Sequence, residues 1–240
     1  MIDDKRVLAV VPARGGSKGI RLKNLRALGG VSLVARAGMI AARTPSIDRA
    51  VVSTDHDEIA AAAKKAGLAA PFRRPEELSG DRIADWDVLH HALLATEAHD
   101  ATIYDIVLML QPTSPGRTPD HLVATLRHLI EGNFDAVWTL SETDSKGHPL
   151  KQLVFLDDDR LDYYDPRGAA IIARQQLQPV YHRNGIAYAM TRDCIMEQRT
   201  IKGARTGAII VPELAANIDT EIDIEWAEFL IRRNGDPLDG

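Results

Sequence analysis

Short apolar runs alternate with amphipathic stretches along the first part of the chain. Val7 to Val11 is an uninterrupted, β-branched-rich run ended by Pro12, as expected of a strand covered on both faces. Ser32 can cap a helix from Leu33 to about Ala42, before Thr44-Pro45. Arg49 to Asp55 reads as a second strand with a polar end, and His56 to Ala66 as a helix stopped by Gly67. Ile106 to Leu110 is a third strong strand. Thr118-Pro119-Asp120 opens a helix to about Glu131, and Ala136 to Leu140 is a further strand. Strand, helix, strand, helix predicts an α/β fold, a doubly wound and mostly parallel sheet. In such sheets ligands sit at the carboxyl ends of the strands.

The rhythm breaks at Ser141. Residues 141–183 carry short polar strands, scattered basic residues and the triplet Asp157-Asp158-Asp159, an excursion within a single domain spanning residues 1–240. Adjacent carboxylates repel and lack cage spacing, so the triplet reads as a solvated hairpin tip rather than a metal site. In Tyr181 to Met190, Asn184-Gly185 is a turn signal leading into the apolar strand Ile186 to Met190, and a plain hairpin is the simplest reading. A last helix is expected from Ile224 to Arg233.

Composition narrows the function classes. The 240 residues carry a formal net charge of −5, which argues against nonspecific nucleic-acid binding. Cys194 is the sole cysteine, so a reducing cytoplasm is the simplest location. The first residues put acids ahead of an apolar run too short for a signal peptide or membrane span, so a soluble protein is expected.

Against that acidic background the segment after the first strand is a local exception. Gly15, Gly16 and Gly19 permit tight turns whose N–H groups can face an anion, with Ser17 among them; Arg14, Lys18, Arg21 and Lys23 surround the same concavity with cations. A polyphosphate is the indicated guest. The P-loop spacing and the dinucleotide fingerprint are both absent. Pro71 to Ser79 is a loop presenting Arg73 and Arg74, and Gln111 to Pro115 (QPTSP) is a rigid, hydrogen-bonding turn at a strand end. In Asn217-Ile218-Asp219 alternate residues share a face, and two hard oxygens there suit Mg²⁺; a helix start with Asp219 or Thr220 as cap is the other reading.

The segment ARGGSKGIRLKN resembles the signature of the acylneuraminate cytidylyltransferases, the CMP-sialic acid synthetases, with Arg21 where that family usually has Pro. LQPTSPGR resembles its second signature; RPEEL before it, and HPLK, RQQL, NGIAY and NID after it, are similar to further family patterns. The resemblance implies a nucleotidyltransferase that uses CTP to activate a nonulosonic acid, with Arg14, Lys23 and Asn24 on the nucleotide and Arg74 helping to hold it. It implies Gln111, Asn184 and Tyr188 at the sugar acid, with Arg117 shaping the loop. It also implies a homodimer in which Lys151 and Arg174 reach the partner's site, and Mg²⁺ held at Asp219 and Asn217. Asn217 stands where the family has Asp. Arg82 and Asp85 replace a hydroxyl-rich run near the nucleobase, with Asp85 either a helix cap or a ligand contact. Transfer to an eight-carbon keto-sugar acid, or a binding protein weakened at Asn217, are the alternatives.

Overall fold

The computed structural model describes residues 1–157, 159–212 and 216–239. In chain order the elements are β1 (Val7–Pro12), β2 (Ala27–Leu28), β3 (Val31–Ser32), α1 (Leu33–Ala42), β4 (Arg49–Ser53), α2 (Asp57–Lys65), α3 (Asp85–Asp100), β5 (Ile106–Met109), α4 (Pro119–Glu131) and β6 (Ala136–Glu142). They continue with β7 (Leu153–Phe155), β8 (Leu161–Tyr163), β9 (Tyr181–Thr191), α5 (Arg192–Met196), β10 (Thr206–Ile210) and α6 (Glu221–Asn234).

Among the described residues the main sheet has six strands in the order β10-β6-β9-β5-β1-β4. β1 pairs parallel with β4 and β5, and β10 pairs parallel with β6. β9 runs antiparallel between β5 and β6. The all-apolar run of β1 follows from this central place. Val7, Ala9 and Val11 pack with α1, α2 and α4 on one face, while Leu8 and Val10 pack with α3 and α5 on the other. A strand wetted on neither face has no use for alternation. The doubly wound, mostly parallel α/β fold is therefore as expected. A third cluster joins α6 to Ile20, Leu28, Leu33 and Ile218, which seats the end of the chain beside the glycine-rich loop.

Two expectations need correction. Asn184-Gly185 does not close a hairpin, because β9 continues through it and the register against β6 slips between Trp138 and Leu140. Gly185 takes φ +72° at this irregularity, and a Cβ there would lie 2.4 Å from Ser114 Oγ and 2.5 Å from Gln111 Oε1. The glycine is thus spent on a bulge and a close approach rather than on a turn. Asp85 is not a helix cap: Ala84 is the N-cap of α3, and Asp85 is its first residue.

The excursion contains the antiparallel pair β7 and β8, with Asp157 and Asp159 exposed between them; Asp158 lies outside the described residues. Phe155 is 80% exposed and Ile172 93%, large apolar side chains with no core beneath them. No helix among the described residues is long and apolar enough to cross a membrane.

The insertion of β9 is secured by Arg117, which is buried. Its Nε donates to Ile186 O at 2.5 Å, and its Nη2 donates to Gln111 O at 2.7 Å and to Gly185 O at 2.9 Å. Burial pushes its pKa down to about 9, still above neutrality. Arg117→Met leaves three buried carbonyls without their donor, and a loss of about 3 kcal/mol or more is expected, read as a lower urea midpoint.

Candidate functional site

The carboxyl ends of β1, β4 and β5 open into a cleft of about 670 Å³. The antiparallel direction of β9 brings its first residues to this same edge of the sheet. Arg14, Ser17, Lys18, Lys23, Asn24, Arg74, Gln111, Asn217 and Asp219, all expected from the sequence, line the cleft together. Asp81, Asp85, Leu78, Ile83 and Val88 complete much of the wall.

The glycine-rich loop is held from below and from behind. Asn24 is buried, and its Nδ2 donates to Arg14 O at 2.9 Å. Gly15 N donates to Asp55 Oδ1 at 2.8 Å, and Ser17 N donates to Gly15 O at 3.0 Å. A carboxylate of the chain itself thus takes the first of the N–H groups that could face an anion. Gly19 is where the loop meets the segment before α6: a Cβ there would lie 2.3 Å from Asp219 O. Only a glycine permits that approach.

The cations are already partnered by acids. Arg14 lies 2.9 Å and Lys18 2.5 Å from the two oxygens of Asp81, and Lys23 Nζ lies 2.7 Å from Asp219 Oδ1. The hydrogen bond from Lys18 leads in holding the Asp81 carboxyl below its ordinary range, and Arg14 adds to it. Arg74 is fixed differently. It is buried, and its guanidinium donates to Ser53 Oγ at 3.0 Å and to Ser53 O. Burial lowers its pKa to about 10 against the opposing pull of Asp55, so it stays a cation at neutral pH.

Asn217 and Asp219 are exposed on either side of the buried Ile218, as alternation predicts. Ile218 N donates to Thr113 O at 2.9 Å, which ties this segment to the QPTSP turn. The helix-start reading also holds, with Thr220 as the N-cap of α6 and Asp223 accepting from Asp219 N and Thr220 N. Asp223, not Asp219, does the capping, so the Asp219 carboxylate is not taken up by the helix start. Among the described residues no group of three or more His, Cys, Asp or Glu side chains is arranged to hold a metal. The oxygens available are those of Asp219 and the Asn217 carboxamide. That donor set fits Mg²⁺, which takes few protein oxygens and completes its shell with phosphates and water.

Six expected residues fall outside the cleft lining: Gly15 and Gly16 of the loop, Asn184 and Tyr188 on β9, and Lys151 and Arg174 on the excursion. Asn184 and Tyr188 are buried. Asn184 Oδ1 accepts from Thr139 Oγ1 at 2.7 Å and from Ile186 N at 3.2 Å, and Tyr188 OH accepts from Gly185 N at 2.8 Å. These side chains hold the β9 bulge in shape beneath Gln111. Lys151 and Arg174 sit exposed on the excursion. Sequence reasoning missed Asp55 and Asp81 as ion and hydrogen-bond partners of the loop. The polar end of β4 was the one available hint for Asp55.

A parallel α/β sheet with a glycine-rich turn, converging cations and a carboxylate at one edge defines a nucleotidyltransferase. The chain belongs to the cytidylyltransferase family, which it matches over residues 8–231. It is 32% identical to the CMP-N,N'-diacetyllegionaminic acid synthase of Legionella pneumophila, covering 97% of this chain and 99% of that protein. The protein of the same name from Campylobacter jejuni is 29% identical, with 97% and 98% covered. The solved structure of CMP:2-keto-3-deoxy-manno-octonic acid synthetase complexed with CTP shares the fold, with a TM-score of 0.68, 16% identity and coverage of 95% and 99%.

Asp81 occupies two of the cations that a phosphate would need. Asp81→Asn is expected to tighten pyrophosphate binding by about fivefold or more, as each released cation gains a charged partner, measured by isothermal titration.

Proposed function

We propose that the protein transfers the cytidylyl group of CTP to a nonulosonic acid, giving the CMP-sugar and pyrophosphate. The observation that carries this reading is the convergence of Arg14, Lys18, Lys23, Arg74, Gln111 and Asp219 on one cleft in a cytidylyltransferase. The names of the two synthases support a nine-carbon acid over the eight-carbon alternative.

In this reading Arg14, Gly15, Gly16, Ser17, Lys18, Lys23 and Asn24 form the triphosphate seat, with Arg74 placed against the nucleoside. Gln111 orients the acceptor over the rigid QPTSP turn, and Asn184 and Tyr188 support that turn from beneath. The acceptor's anomeric oxygen forms a bond to the α-phosphorus, the bond from that phosphorus to the bridging oxygen breaks, and pyrophosphate leaves with its electron pair. The acceptor's hydroxyl proton passes to solvent. Arg14, Lys18 and Lys23 neutralise charge that develops on the phosphate oxygens, and the fixed loop holds the reactants in line. Mg²⁺, held by Asp219 and Asn217, would supply further charge neutralisation on the phosphates.

We read the exposed apolar residues of the excursion as a homodimer contact, through which Lys151 and Arg174 would reach a second copy's cleft. Sedimentation should then give a dimer, and Phe155→Asp should give a monomer with little activity.

The central test is pyrophosphate release with CTP, with and without Mg²⁺, across sialic, legionaminic, pseudaminic and eight-carbon acids. Magnesium-dependent release with one nine-carbon acid is expected; CTP binding without release for any acid would overturn the reading in favour of a binding protein. Asn217→Asp adds a charged ligand, so the magnesium concentration giving half-maximal rate should fall several-fold.

A further inference from the structure

Asp55, Asp81 and Asp219 all meet the glycine-rich loop or its cations, and two of them have other work. Asp55 fixes the loop's backbone at Gly15, and Asp219 is the carboxylate of the magnesium reading. Asp81 differs from both. Among the described residues its partners are the side chains of Arg14 and Lys18 alone, one on each carboxylate oxygen. A carboxylate shared between two cations of a phosphate seat stands in for an oxyanion.

The segment that carries Asp81 can give way. Ser79 is tied to the turn before it, its N–H donating to Glu76 O and its Oγ to Pro75 O, each at 2.9 Å, and Ala84 is the N-cap of α3. Between these anchors no backbone N–H or C=O of residues 80–83 is hydrogen-bonded to another described residue. Gly80, Asp81 and Arg82 are exposed, and a Cβ on Gly80 would meet nothing nearer than Ile83 Cγ1 at 3.7 Å. The two ion pairs are therefore what holds Asp81 over the loop. They are also open to water, with the Asp81 side chain 39% exposed and that of Lys18 80%, so an arriving polyanion can displace the carboxylate.

We infer that Asp81 is an internal counter-anion that drives pyrophosphate release: as a phosphate group leaves Arg14 and Lys18, the Asp81 carboxylate takes its place and stops it from rebinding. This rests on the cytidylyl-transfer reading, in which pyrophosphate is the leaving product. A ligand gripped by several cations dissociates in steps, and each partly detached state recloses unless the vacated cation is taken. A carboxylate tethered beside the site acts at an effective concentration of about millimolar or more, so it competes at every such step. Pyrophosphate lacks the nucleoside that Arg74 would hold, and so depends on these cations more than CTP does. The tighter pyrophosphate binding expected of Asp81→Asn is thereby assigned to slower departure rather than to faster entry.

The test measures association and dissociation of pyrophosphate itself, with magnesium present, from phosphorus NMR line shapes. In Asp81→Asn the dissociation rate is expected to fall about 5- to 10-fold, with the association rate changing by less than about twofold. Asp81→Glu keeps the charge and is expected to hold the dissociation rate within about threefold of that of the unmodified protein. An unchanged dissociation rate in Asp81→Asn overturns the proposal. So does tightening that arises wholly from faster association, which would make Asp81 a barrier to entry. Asp81→Glu slowing as much as Asp81→Asn also overturns it, because the carboxylate would then not be the agent, and so does failure of the unmodified protein to bind pyrophosphate. Turnover of CTP tests the cytidylyl-transfer reading separately: a protein that exchanges pyrophosphate in this way but transfers nothing loses that reading and keeps the exchange at Asp81.

Discussion

One buried cation holds the two halves of the sheet together at the edge that matters. Among the described residues Arg117 has no carboxylate partner, and it donates to the carbonyls of Gln111, Gly185 and Ile186. Those carbonyls belong to the turn after β5 and to the bulge of β9, the elements that meet where the sheet changes from parallel to antiparallel. Charged hydrogen bonds to dipoles stabilise without the competing partner that an ion pair would bring into the cleft. Gln111, Ser114, Thr139 and Asn184 are positioned through that junction, with Ser114 Oγ donating to Asn184 O at 2.7 Å.

The cleft itself is balanced electrostatically by the chain. Asp81 pairs with Arg14 and Lys18, Asp219 with Lys23, and Asp55 with the Gly15 N–H. Clustered cations would otherwise repel one another and loosen the loop that carries them. The acids give the loop a defined shape before any polyphosphate arrives. Arg74 is the exception, pinned by Ser53 rather than by a carboxylate.

Most of the parallel part of the sheet was legible because its strands are short apolar runs bounded by proline, glycine or polar residues. β1, β4, β5 and α4 fall where those signals put them, and Thr118 caps α4 as its sequence suggests. Asn184-Gly185 misled because a local turn signal cannot reveal that the next strand pairs on both sides; the bulge is set by Thr139, Ser114 and Arg117, which lie far away in sequence. α3 and β10 were missed for different reasons. α3 begins at Asp85 straight after a polar loop without a side-chain cap, and β10 is a strand of only five residues with little alternation. Arg14, Lys18 and Lys23 were readable because they sit in one loop. The acids that partner them were not, because each pairing depends on tertiary approach.

The bond from Lys23 to Asp219 spans 196 positions of the sequence. Closing so long a loop is entropically costly and belongs to the end of folding rather than its beginning. During synthesis the glycine-rich loop is made well before the carboxylate opposite it. A chain halted before Ile218 would carry the turn with Asp55 and Asp81 in place but without the carboxylate that Lys23 closes against. The order in which ribosomes deliver residues thus leaves Lys23 without this partner until the segment beyond β10 has been made.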